Sequence, residues 1–216
     1  MKNKFSLFRK ILTGLIFSTI MLNITYGQKY NKDNIALCYF TVMADEGLGL
    51  TVDKAMENSV YDRVTKILAD TAGISLKPVD FLKGKVAYDF YDYPLVGGKK
   101  AAKSNLADNY LRICINIDRT GIQSTSENSS TISGVTVGSS KIKVKVRVKM
   151  NIEVFDKTGT AIIDETYVSK SKNEIEFESK DIKVGNFSSS TYKHNDESTF
   201  QGLLDICSVS LANKLK

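Results

Sequence analysis

Five cations stand at every second position from Lys141 to Lys149: Lys141, Lys143, Lys145, Arg147 and Lys149. Alternate residues of a strand share one face at a spacing of roughly 6.8 Å, within a Debye length of about 8 Å, so the row would form a strip of like charge. Such a strip, centred on Lys143, Lys145 and Arg147, could dock an acidic envelope protein or an anionic envelope polymer. Glu174, Glu176 and Glu178 offer it another use. Their period is the same and their sign opposite, so the two rows could pair across strands and fix the register. The second group is aromatic. Tyr88, Phe90, Tyr91 and Tyr93 could stack on sugar rings or line a pocket, or they could anchor a loop that crosses a sheet. Asp89 and Asp92 lie among them, and paired carboxylates can hydrolyse glycosides, which makes a small envelope-glycan hydrolase the enzymatic alternative.

Other constellations fall short of a site. Gly47-Leu48-Gly49 precedes a helical pattern but lacks the Lys-Ser/Thr ending of a phosphate loop, and no Gly-x-Ser-x-Gly elbow occurs. Cys38, Cys114 and Cys207 are an odd, widely spaced set, and His194 is the only histidine. The thiols suit either three buried core positions or one disulfide with a spare. No cofactor or metal is expected.

These residues need elements to hold them. Asn34–Val42 is an apolar run that suits a buried strand. From Val52 the apolar residues Met56, Val60, Val64, Ile67 and Leu68 recur at helical spacing, with Glu57 among the polar residues between them. This predicts a helix over Val52–Ala72 with Thr51 as N-cap and Gly73 just past its end. A second strand is expected over Ile74–Val79 and a short helix over Lys99–Ala107. Asp108–Asp118 alternates and reads as a strand. The Ser/Thr/Gly/Asn-rich stretch 120–140 reads as a flexible loop, as does the polar stretch 185–197. Lys141–Val154 alternates without error, with Ile142, Val144, Val146, Val148, Met150, Ile152 and Val154 on the apolar side. Asp156-Lys157-Thr158-Gly159 supplies a hairpin turn, Ala161–Lys170 the return strand, and Asn173–Val184 a further strand. Phe200, Leu203, Leu204, Cys207 and Leu211 form the stripe of a last helix, Ser198–Leu215, with Ser198 as its cap. The expectation is a single α/β (α+β) domain: one mixed sheet with a long antiparallel hairpin, packed by a helix from the N-terminal half and a C-terminal helix.

Residues 1–27 read as a signal peptide: Lys2, Lys4, Arg9 and Lys10 precede a short apolar run, and cleavage is expected near Gln28. The chain of 216 residues carries a net charge of +6. Those four cations account for most of it, because 26 basic against 24 acidic residues leaves +2. The basic balance therefore belongs to the targeting segment and does not argue for nucleic acid. After cleavage no segment is apolar for long enough to span a bilayer, and the expected location is periplasmic or secreted. A hydrophobic fraction of 42% excludes intrinsic disorder.

Three stretches carry a family likeness: Ile35–Val42 before a helix; Ala101-Ala102-Lys103 with Leu106-Ala107-Asp108-Asn109-Tyr110 running into a strand; and Val154-Phe155-Asp156-Lys157-Thr158-Gly159 at a hairpin. In these the chain resembles the periplasmic α/β module of the curli secretion channel, the lipoprotein activators of penicillin-binding proteins and the N-terminal domain of the Tol–Pal translocation protein. The resemblance implies a fold and a compartment. Two departures stand against it: no Cys sits where a lipid anchor would attach, and no second amphipathic hairpin is evident that could build a channel. The expected role is a non-enzymatic binding or assembly module of the cell envelope, with a self-associating scaffold as a further alternative. Its expected contacts are Lys143, Lys145, Arg147, Tyr88, Tyr91 and Tyr93.

Overall fold

The structure is a computed structural model that describes residues 31–45, 48, 52–184, 187–194 and 197–216. For 122–129, 140–142, 175–184, 187–194 and 197–198 the backbone alone is described. The expected signal peptide, its cleavage point and the expected cap Thr51 lie outside these residues. Lys32–Lys216 forms one compact unit.

The elements in chain order are β1 (Ile35–Ala44), α1 (Lys54–Ala72), α2 (Gly98–Ala102), β2 (Asn109–Ile132), β3 (Val135–Asp156), β4 (Ala161–Lys170), β5 (Ile175–Val184), β6 (Phe187–His194) and α3 (Glu197–Leu215). β1 runs parallel to β2, and every other strand pair is antiparallel, so the fold is α/β with a mixed sheet. β3 is its spine. One side of β3 pairs with β2 over its whole length; the other pairs with β4 from Phe155 to Arg147 and then with β5 from Val144 to Val135. The two partners meet at Ser171, whose hydroxyl accepts from Val146 N–H at 2.9 Å while its own N–H donates to Val146 O at 2.7 Å.

The period-two pattern is realised residue by residue. Val144, Val146, Val148, Met150, Ile152 and Val154 are all buried, beside Ile113, Ile115 and Ile117 of β2. α1 covers this face with Val60, Val64 and Leu68, and α3 with Phe200, Leu203, Leu204, Cys207 and Leu211, all buried. Arg63 and Asp205 join the two helices in a forked ion pair. The N-cap of α1 is Asp53, whose Oδ1 accepts from Met56 N–H at 2.9 Å, in place of the expected Thr51. Gly73 ends the helix at φ +66°, the left-handed conformation its lack of a Cβ permits.

Ile74–Val79 is not a strand. It makes one isolated bridge, Leu76 with Ile35, and Pro78 has no N–H to extend a ladder. The expected loops give way to strands. β2 and β3 continue through 120–140 to a two-residue turn at Ser133-Gly134, both at positive φ, and 187–194 is β6. Ser and Thr side chains offer little to bury, but ladder hydrogen bonds are made by the backbone and do not depend on them. β5 and β6 form a further hairpin, side by side with the extended β2–β3 hairpin. The protein thus has a helix-covered base and a four-stranded arm that leaves it.

Candidate functional site

The sheet face turned away from α1 and α3 carries the polar residues. At the foot of the base it is closed by α2. Ala36, Cys38, Tyr110 and Phe155 pack there against Ala101, Ala102, Ala107 and Leu82. Tyr110 fixes the incoming chain, its hydroxyl accepting from the N–H groups of Leu106 and Ala107 at 3.0 Å each. Gly98 lets α2 lie directly on Phe155, since a Cβ there would fall 1.9 Å from the ring. Gly159, at φ +81°, brings the β3–β4 turn against Lys99. The turn is held by Asp156, whose Oδ1 accepts from Thr158 and Thr160 N–H and whose carboxyl stays below its ordinary value, chiefly through the Thr158 hydroxyl bond. The two later stretches that carried the family likeness therefore meet at one place.

Beside α2 lies an open groove of about 510 Å³. Tyr39, Arg112, Glu153 and Phe155 line its sheet side, and Gly97, Gly98, Lys99 and Lys100 its helix side. The register sets Tyr39, Arg112 and Glu153 in one row across β1, β2 and β3. Arg112 lies 4.8 Å over the Tyr39 ring and donates to the Glu153 carboxylate. The groove offers fixed charge and aromatic surface. Its acid is held by Arg112, and the arrangement suits recognition.

Farther up the same face, Arg147 donates to Asp118 at 2.7 and 3.2 Å. Lys141 lies opposite Glu178 in the ladder and Lys143 opposite Glu176. Lys145 is exposed, opposite Thr120. The acidic row meets the basic row at two positions, in the register that period and sign implied. Glu174 precedes β5 and falls outside the paired positions.

The aromatic group lies elsewhere. Its loop runs along the other edge of β1, where Phe40 N–H donates to Pro94 O and Val96 N–H to Cys38 O. β1 and β2 therefore separate it from the basic row on β3, and the structure does not bring the two groups together. Tyr93 is 3% exposed, packs on Phe40 and Tyr61, and donates its hydroxyl to Asn58 Oδ1 at 2.8 Å. Burial, with Glu57 nearby, holds that phenol well above its ordinary value. Tyr88 donates to Val79 O and Tyr91 to Val52 O, so both anchor the loop, while Phe90 is 93% exposed at its tip. Asp89 Oδ1 accepts from the N–H groups of Tyr91 and Tyr93, and Asp92 pairs with exposed Lys54. Asp89 thus shapes the turn, while Asp92 faces outward in an exposed ion pair.

Sequence reading missed Glu57. It was placed on the polar side of the helix, yet it is 3% exposed and its Oε1 accepts from Val42 N–H, capping a donor on the edge of β1. Its Oε2 has no partner, and burial, then the Asp89 charge, push its carboxyl up. The helical spacing does carry a signal for this: Glu57 falls in line with Val60, Val64 and Leu68 on the buried stripe, and only its charge argues for the polar side. The three cysteines are buried free thiols, and burial pushes Cys38 up to about 12. Among the described residues no group of His, Cys, Asp and Glu could hold a metal ion, and no helix is long and apolar enough to cross a membrane.

No protein-family model matches the chain, and no curated protein matches its sequence. Solved structures overlay on it loosely. One, described as a neuraminyllactose-binding hemagglutinin homolog from Helicobacter pylori, has a TM-score of 0.42 at 12% identity, over 88% of this chain and 90% of that one. A hypothetical protein from Chlamydia trachomatis gives 0.30 at 10% identity, over 64% and 72%. A minor lipoprotein from Acinetobacter baumannii gives 0.26 at 9% identity, over 84% and 88%. The reading of the site rests on its own geometry.

Proposed function

We propose that this chain is a non-enzymatic binding or assembly module of the bacterial cell envelope, acting in the periplasm or outside the cell. The arm is the observation that carries the reading. Four antiparallel strands extend the sheet past the helix-covered base, and among the described residues the ladder gives no outer partner to β2 beyond Asp118 or to β6. Such edges present N–H and C=O groups to an incoming strand, which is how many modules bind extended segments of a partner. Lys143, Lys145 and Arg147 lie where the arm leaves the base and would draw in an acidic envelope protein or an anionic envelope polymer. Tyr88 and Tyr91, beside exposed Phe90, would serve a separate contact at the β1 edge. Tyr93 has no part in it.

Replacing Lys143, Lys145 and Arg147 together by Gln tests the charge strip. Capture of partners from envelope extracts should fall, most clearly at low salt, with the circular dichroism spectrum unchanged. Unchanged capture with a lower melting temperature would make the row a register device alone. A full chain that captures nothing and stays monomeric across a sedimentation concentration series would overturn the module reading as a whole.

A further inference from the structure

The base sheet has an edge of its own, independent of the arm. β4 pairs with β3 from Ala161 to Lys170, and among the described residues no other strand pairs with it. Asp164, Thr166, Val168 and Lys170 project from it on the exposed side, and Val168 is 51% exposed. These charges are poorly placed for their own sheet. The register sets Asp164 opposite Glu153 and Lys170 opposite Arg147, like against like, which a ladder disfavours. Nor can Glu153 and Arg147 turn to better account there, because Arg112 and Asp118 on β2 already hold them.

The same charges are well placed for a second copy of the strand. An antiparallel copy centred on Tyr167 sets Tyr167 opposite Tyr167 and Thr166 opposite Val168. It also sets Asp164 opposite Lys170, and the two-fold axis makes that pair twice. A third observation falls on the same axis. Tyr167 points to the inner side of the strand, opposite buried Met150, and its hydroxyl is buried without a hydrogen-bond partner.

We infer that two copies of this chain pair β4 to β4 about a two-fold axis at Tyr167, joining their base sheets into one. The interface is isologous, so each copy supplies both the acid and the base of the pair. Exposed Val168 is covered by the partner's Thr166, and the β4 edge is closed by ladder bonds. This pairing does not depend on the envelope reading or on the arm.

Charge reversal tests it by sedimentation velocity on the full chain over a concentration series. The wild type should dimerise. Asp164→Lys and Lys170→Asp should each weaken dimerisation on the order of tenfold, as two opposite-charge pairs become like-charge pairs. The doubly reversed chain, D164K with K170D, should regain the wild-type dimer. An equimolar mixture of the two single variants should form a heterodimer, since each then carries the charges the other lacks. Thermal unfolding of dilute single variants should be no lower than wild type, because each reversal removes a like-charge neighbour on β3, so loss of the dimer is separable from loss of the fold. A wild type that is monomeric throughout overturns the inference. So does an oligomer equally strong in both single variants, which would assign self-association to the arm and leave the proposed function standing.

Discussion

Replacing Gly98 by Ala should destabilise the base, and the structure sets the size of the effect. An added Cβ would lie 1.9 Å from Phe155 Cδ2, 2.0 Å from Cγ and 2.5 Å from Cε2. Phe155 is 8% exposed and packed among Ala36, Tyr110 and Ala101, so turning the ring into the groove beside it would give up those contacts. Either the ring does so or α2 lifts off the sheet. Overpacking of this kind costs about 1–3 kcal/mol, and the better helix propensity of Ala returns up to about 1 kcal/mol. With contacts this short the upper part of that range applies, so about 2–3 less about 1 leaves a net loss of about 1–2 kcal/mol, or a melting temperature lower by roughly 2–8 °C for a domain of this size. Thermal and urea unfolding followed by circular dichroism measure it. The cause is isolated by Phe155→Ala, which alone should cost about 3–5 kcal/mol. On that background G98A should become neutral or stabilising, because the obstructing ring is gone. A G98A protein as stable as wild type, or costs that add within about 0.5 kcal/mol in the double variant, would refute the packing argument.

Asp53→Ala removes the N-cap of α1 and should cost about 1 kcal/mol, read as a lower urea midpoint with an unchanged slope. Glu57→Gln should remove a pH dependence: burial raises the folded carboxyl above its ordinary 4.5, so the stability it contributes is complete below that value and is lost as pH rises through the folded one. Above the acidic range in which Asp156 titrates, urea midpoints should fall with pH more steeply for the wild type than for E57Q; parallel curves would show that Glu57 is not the titrating group. Ellman's reagent should label none of Cys38, Cys114 and Cys207 in the native protein and all three in urea, since each thiol is buried; rapid native labelling would contradict that burial.

The sequence by itself determined whatever depends on near neighbours in the chain. The unbroken alternation of Lys141–Val154 allows only a strand with one buried face, because a slip of one residue would expose every Val and Ile on it. Asp156–Gly159 determined the hairpin for a similarly local reason, an Asp carboxylate bonding N–H groups two and four residues on and a Gly free to take positive φ. Period and sign also determined that Glu176 and Glu178 could face Lys143 and Lys141. The arm was decided by tertiary structure: 120–132 has no strand composition, and it is ordered into a ladder by the long strand opposite it and by β5 beyond. Tertiary structure likewise separated the aromatic loop from the basic row, because it put one on the β1 edge and the other on β3. Helical spacing already puts Glu57 on the buried stripe, and tertiary structure supplied its partner, because the β1 edge placed the Val42 N–H there without a strand to take it. It made a groove from Tyr39, Arg112, Glu153 and Gly98, which sequence distance keeps apart. Periodicity reports which face a side chain takes on its own element, while what meets that face depends on chain segments tens of residues away, and only the packed fold brings those together.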